Sequence, residues 1–195
     1  VAFKPFQKPD APEIYPEHLR KDIDELNVWL FNNVNNGVYK CGFAQTLEAY
    51  NRAYHILYKS LDLLEDRLNR NRFLFGDYVT DSDVRLYVTL ARFDTGYAIT
   101  HLGPTRKRLV DYENLWGYAR ELWQIPAFRN NTYFREFSRP QSKSQEFFTP
   151  YIERFIDQID FEALWGASVD RGYLSKDPNH KLYIPGVSVV NYPNT

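Results

Sequence analysis

The chain has 195 residues, with 24 Lys and Arg against 25 Asp and Glu and a formal net charge of −1. That balance excludes the basic footprint that nucleic acid or an anionic lipid surface requires, and no apolar run is long enough to span a bilayer. A single cysteine excludes an internal disulfide framework, so a reducing, cytoplasmic home is the default expectation.

The opening VAFKPFQKPDAPEIYP is proline-punctuated and reads as an extended arm. From Glu17 the pattern turns helical, with Leu19, Ile23, Leu26 and Leu30 on one face. Asn35-Asn36-Gly37 then reads as a helix stop, because glycine tolerates the left-handed conformation of a C-cap. A second helix follows, with Leu47, Tyr50, Tyr54, Leu57, Leu61, Leu64 and Leu68 on one stripe. Glu48–Arg52 and Asp66–Arg70 pair on its wet faces.

Phe73-Leu74-Phe75-Gly76 reads as an apolar corner. Thr80 and Asp83 then form a capping-box variant, with Asp in place of the usual Glu or Gln. Behind them Leu86, Leu90, Phe93 and Tyr97 share a face. Val84, Tyr87, Val88 and Ala91 leave this helix few polar surfaces, which predicts the most buried helix of the chain. Gly103-Pro104 breaks it. Asp111 to Gln124 is a further helix with Leu115, Tyr118 or Ala119, and Leu122 inward, and Pro126 starts another. A short helix is expected from Thr149 to about Ile159. From Gly166 the tail carries Pro178, Pro185 and Pro193, with an extended hint from Leu182 to Val190. Without βαβ alternation or repeats, the fold class is all-α with an irregular tail.

His18, His55, His101 and His180 lie far apart, so no metal-ligand spacing exists, and there is no phosphate loop or nucleophile elbow. Cys41 has a cationic neighbour in Lys40. Between Val38 and Phe43, however, it reads first as a small core residue. Tyr39, in the break between two helices, and Tyr97, near the end of the buried helix, could each face a cleft. Spacing alone favours core tyrosines with a hydroxyl at the surface. Arg92 and Asp94 are two apart, cannot face each other, and each needs a separate partner.

Tyr15-Pro16 through Asn27-Val28-Trp29, NNGVYKCGFA, RFLFGDYVTDSDVRLYVTLARFD and DYENLWGYARELWQIP together resemble the glutathionyl-hydroquinone reductases, the xi-class glutathione transferases. The resemblance runs in order over about residues 15 to 126, and PQSKSQEFFTPYIERF departs from the family pattern. It implies a glutathione-transferase C-terminal-like helical bundle over residues 17–160 and an irregular tail over 161–195. Residues 1–16 become a linker from a thioredoxin-like domain that binds glutathione and carries a Cys-Pro nucleophile. The chain starts at Val1 and has no methionine, so it is expected to be a piece of a longer protein.

In the family reaction that cysteine attacks the sulfur of a glutathionyl-hydroquinone and releases the quinol, and a second glutathione resolves the mixed disulfide. The helical half holds the quinol. The resemblance assigns substrate binding to Tyr39, Tyr97 and His101, structural capping to Thr80 and Asp83, and no catalytic role to Cys41. It also implies glutathione as co-substrate and a homodimer. A non-enzymatic helical adaptor and a small enzyme using Cys41 are the competing readings.

Overall fold

Ile23 and Leu30 are wholly buried on one face of α1, Arg20–Leu30, as their spacing requires. The computed structural model describes residues 4–6, 11–103, 107–137, 139, 146–147 and 149–176. Asn35-Asn36-Gly37 does not end this helix in a left-handed cap. The backbone widens into a π-helical turn over Phe31–Asn35 and resumes as α2, Gly37–Gly42. Positive φ among the described residues occurs at Gly76 and Gly103, not at Gly37. Gly37 serves proximity instead: a Cβ there would stand 3.3 Å from Leu57 Cδ1 on the next helix. Tyr39 therefore sits on a helix held tightly against its neighbour, not in a loop.

That neighbour, α3, spans Leu47–Leu68 and starts at Thr46, whose hydroxyl accepts the Ala49 N–H at 3.1 Å. Leu57, Leu61, Leu64 and Leu68 are buried, whereas Leu47 at the first turn is 75% exposed. Glu48 and Arg52 approach to 3.6 Å, and Asp66–Arg70 is not among the ion pairs of the described residues. After α3 the apolar corner forms as expected. Phe73 and Gly76 exchange backbone hydrogen bonds, and Gly76 takes φ 103°.

Helix α4, Asp81–Arg92, begins with a capping box between Thr80 and Asp83. The Asp83 carboxylate does more than cap. Wholly buried, it accepts from Thr80 N–H at 2.7 Å, Thr80 hydroxyl at 2.9 Å, Leu74 N–H at 3.0 Å and Tyr118 hydroxyl at 2.8 Å. It joins the corner, α4 and α5 (Glu113–Gln124) at one point. Burial pushes its carboxyl above the usual range, and the four donors pull the other way. Helix α4 buries Leu86, Tyr87, Leu90 and Ala91, but Val88 is 44% exposed, so the helix keeps one open face.

The chain continues as a π-helical stretch, Phe93–Leu102, ended by Gly103 at φ 82°. Arg92 donates to the Val88 carbonyl and stacks over Phe137. Asp94 accepts the N–H groups of Leu109 and Val110, so both members of that pair serve the scaffold.

Leu115, Tyr118, Ala119 and Leu122 face inward on α5, and α6, Pro126–Arg129, has Pro at its first position. Two short helices were not legible: α7, Phe134–Phe137, and α9, Phe161–Gly166, the latter inside the segment read as irregular tail. Between them α8, Thr149–Tyr151, runs into a π-helical turn, Ile152–Ile156. Helix α9 exists because Asp160 caps the Ala163 N–H at 3.0 Å while Phe161 and Trp165 pack on Phe134. A helix of 6 residues is too short to show a period.

Beyond α9 the chain is tied down by Arg171. Its guanidinium donates to the carbonyls of Leu68, Asn71 and Arg72 at the end of α3 and stands 3.5 Å from Glu121. Glu121 also pairs with Arg72 at 2.6 Å. Pro178, His180, Pro185, Pro193 and the stretch Leu182 to Val190 lie outside the described residues. The architecture is an all-α bundle, without a strand among the described residues.

Candidate functional site

Helix α2 and the π-helical stretch bring together residues 58 apart in sequence. The hydroxyls of Tyr39 and Tyr97 share a hydrogen bond of 3.1 Å, with ring centroids 5.4 Å apart and nearly perpendicular. His101 lies edge-on to both rings, at 5.5 Å from Tyr39 and 5.6 Å from Tyr97. Phe43, one turn on from Tyr39, closes the group at 5.7 Å from His101. The π-helical backbone spaces Tyr97 and His101, four apart, onto the same side as α2.

Tyr39 is 39% exposed and Phe43 is 68% exposed, so the α2 side of the cluster lies at the surface. Both also line a cavity of about 510 Å³ with Lys40, Arg52 and Ile56. Tyr97 is partly buried and packs on the core with its hydroxyl paired at the surface, as the core reading has it, whereas Tyr39 is the more exposed of the two. Cys41, by contrast, is buried with Val38. Of the other histidines, His18 and His55 stand elsewhere in the sequence and do not join the cluster. Among the described residues no group of three His, Cys, Asp or Glu could hold a metal, and no helix is long and apolar enough to cross a membrane.

Burial governs the electrostatics of Tyr97 and His101. Burial, and then the Tyr39 hydroxyl, raise the Tyr97 phenol, so it remains a protonated donor at pH 7. Burial lowers His101 below the ordinary histidine value of 6.5, so its ring is uncharged at pH 7. The unfolded chain thus binds a proton more readily than the fold. The stability His101 contributes is complete above pH 6.5 and is lost as the pH falls through the lower folded value. Melts of wild type and His101→Gln at stepped pH should differ in slope below 6.5 and run parallel above it. Parallel curves throughout would refute the assignment.

Two neighbours shape the ring, and the sequence reading missed both. Gly42 leaves room for it, since a Cβ there would fall 1.9 Å from His101 Cδ2. Thr100 holds it, with Oγ1 at 2.5 Å from His101 Nδ1. Gly42→Ala in a helix should gain up to about 1 kcal/mol of propensity, but here the clash decides the sign. We expect a net loss of about 1–3 kcal/mol, together with a displaced His101 ring, read by urea unfolding and by the ring's proton shifts. A stabilised variant with an unmoved ring would overturn this.

A second cavity, of about 630 Å³, lies on the opposite side of the π-helical stretch, lined by Leu90, Thr95, Ile99, Trp116, Phe155 and Trp165 among others. Neither Tyr97 nor His101 reaches it. The Thr95 hydroxyl there is buried without a hydrogen-bond partner. Thr95→Val should therefore be neutral or stabilising by up to about 1 kcal/mol, because it removes a desolvated group and no bond. A loss above that in denaturant melts would mean the hydroxyl is satisfied.

Residues 48–121 match the family described as glutathione S-transferase, C-terminal domain. The glutathionyl-hydroquinone reductase YqjG of Escherichia coli (strain K12) is 40% identical over 140 residues, covering 72% of this chain and 42% of that protein. Its glutathione-bound structure superposes with a TM-score of 0.67 at 39% identity, over 77% of this chain and 48% of that one. This chain's homologues are glutathionyl-hydroquinone reductases and xi-class glutathione transferases.

A xi transferase of Phanerochaete chrysosporium is 42% identical, with a TM-score of 0.65 over 71% of this chain and 45% of that one. A structure of a putative glutathione S-transferase from Corynebacterium glutamicum covers 96% of this chain and 61% of that one, with a TM-score of 0.77 at 36% identity. The helical bundle is thus the fold of the glutathione-transferase C-terminal domain. The chain spans less than half the length of the curated relatives it matches. In this domain Tyr39, Tyr97 and His101 cluster between α2 and the π-helical stretch, and Thr80 and Asp83 cap α4.

Proposed function

We propose that this chain is the quinol-binding helical half of a glutathione-dependent reductase that deglutathionylates glutathionyl-hydroquinones. A thioredoxin-like domain of the same longer protein supplies the glutathione site and the attacking thiolate. The carrying observation is the partly exposed Tyr39–Tyr97 hydroxyl pair with His101 edge-on to both rings. Flat aromatic walls fit a quinol ring, and a neutral phenol donates to the oxygen charge that develops as the carbon–sulfur bond breaks.

The chemistry divides between the halves. The thiolate takes the glutathionyl sulfur and forms a mixed disulfide, the aromatic carbon takes a proton, and a second glutathione then restores the thiolate. This chain's share is to hold the ring and to stabilise its oxygen. The relatives' names support the reaction class, and this chain's length relative to theirs supports a second domain. A homodimer accords with the habit of the fold.

Titrating this chain with hydroquinone while following backbone amide shifts tests the reading. Shifts concentrated in Asn36–Phe43 and Tyr97–His101 are the expected result. Shifts elsewhere, or none at millimolar ligand, would leave the adaptor reading in its place.

A further inference from the structure

Thr100 has one hydroxyl proton and two polar neighbours. Its Oγ1 lies 2.9 Å from the Gly96 carbonyl oxygen and 2.5 Å from His101 Nδ1. The carbonyl can only accept, so a proton must lie between it and Oγ1. Without one, two oxygen lone pairs would face each other at hydrogen-bond distance. With the hydroxyl proton committed to Gly96, Oγ1 meets Nδ1 as an acceptor, and Nδ1 must carry the ring proton. A neutral imidazole has one such proton. Nε2 is then a bare lone pair, and no hydrogen bond to it occurs among the described residues.

We infer that Thr100 is a positioning residue that fixes the Nδ1–H tautomer of His101, making Nε2 an acceptor, so that the cleft selects ligands carrying a free phenolic hydroxyl. The phenol pair completes the pattern. Tyr39 and Tyr97 spend one proton on each other, whichever is the donor, and keep one O–H for a ligand. Besides the phenol oxygens, the cluster therefore offers one spare O–H donor and, at Nε2, an acceptor that carries no proton of its own. A phenolic hydroxyl accepts from the first and donates to the second. An aryl methyl ether or a quinone carbonyl accepts only, and leaves Nε2 unpaired. Gly42 adds a second constraint, since a Cβ there would fall 1.9 Å from Cδ2 and 2.9 Å from Nε2 and drive the ring from this position. This inference rests on the quinol-binding reading for its ligand and on geometry alone for its tautomer.

The two parts separate in one experiment on this chain, ¹⁵N-labelled at histidine, above pH 7. Long-range proton–nitrogen spectra distinguish a protonated ring nitrogen from a bare one, and His101→Gln assigns the signals. The expected result is protonated Nδ1 and bare Nε2 in wild type and in Thr100→Ser. Thr100→Val should shift toward the opposite tautomer with its amide spectrum otherwise folded, a change that a merely structural role would not produce. Hydroquinone should bind roughly tenfold tighter than 1,4-dimethoxybenzene, the worth of one hydrogen bond, and Thr100→Val should abolish that ratio while Thr100→Ser keeps it. A protonated Nε2 in wild type overturns the inference even if hydroquinone binds. Nδ1–H with hydroquinone and its ether bound equally overturns the selection. Nδ1–H with no hydroquinone bound removes the quinol-binding reading and its ligand selection, and leaves the role of Thr100 standing.

Discussion

Asp83→Ala should cost about 3–5 kcal/mol, a large part of the stability of a domain this size. The reason is what the substitution leaves behind. Leu74 N–H, Thr80 N–H and the Tyr118 hydroxyl all lose an acceptor at a site closed to water. Each unsatisfied buried donor costs about 1–3 kcal/mol before relaxation. Thr80→Ala removes the capping-box hydroxyl, which accepts from the Asp83 N–H and donates to its carboxylate, and should cost about 1 kcal/mol, the usual worth of an N-cap. Asp83→Asn should fall between, because its amide keeps one acceptor oxygen and forces an N–H₂ against donors. Urea unfolding orders the three. If Asp83→Ala cost no more than Thr80→Ala, the carboxylate would be a helix cap and not the joint between the corner, α4 and α5.

Replacing the phenols should affect turnover far more than folding. Tyr39→Phe and Tyr97→Phe each remove a partly exposed hydroxyl whose described hydrogen bond is to the other, so stability should change by less than about 1 kcal/mol. In a protein joining this chain to the glutathione-binding domain proposed above, turnover of a glutathionyl-hydroquinone should fall by about ten- to a thousand-fold, the range for oxyanion-type donors. The single variants belong near the low end. Losing one hydroxyl frees the proton of the other, which can still donate. The double variant loses the last donor and should fall further than either, by more than the product of the singles. Single variants that melt early with turnover intact would make both residues structural. A double variant as active as wild type would remove the phenols from the reaction.

Much of the scaffold was legible because it is periodic or locally capped. The leucine stripe of α3, the Thr80–Asp83 box and the Pro126 start each depend on residues within a few positions of one another. What was misread involved contacts between distant elements. Gly37 looks like a C-cap by type, but the proximity of Leu57 assigns it to packing. Helices α7 and α9, of 4 and 6 residues, are stabilised by Phe134, Phe161 and Trp165 against each other, which no local pattern encodes. Phe43 had a faint signal, four residues from Tyr39 on the same short helix.

By itself, then, the sequence determined an all-α chain, its long helices, their caps, and through its motifs the family whose tyrosines to watch. That Tyr39 and Tyr97 meet, with their hydroxyls paired, only the tertiary structure decided. The same holds for the tautomer of His101, which follows from a hydroxyl and a carbonyl brought within 2.9 Å by a π-helical backbone. Helical periodicity assigns a side chain to a face of its own helix, and it is silent about what stands opposite. A hydrogen bond between residues 58 apart needs two helices packed at one angle and one register, and that register is set by the whole core.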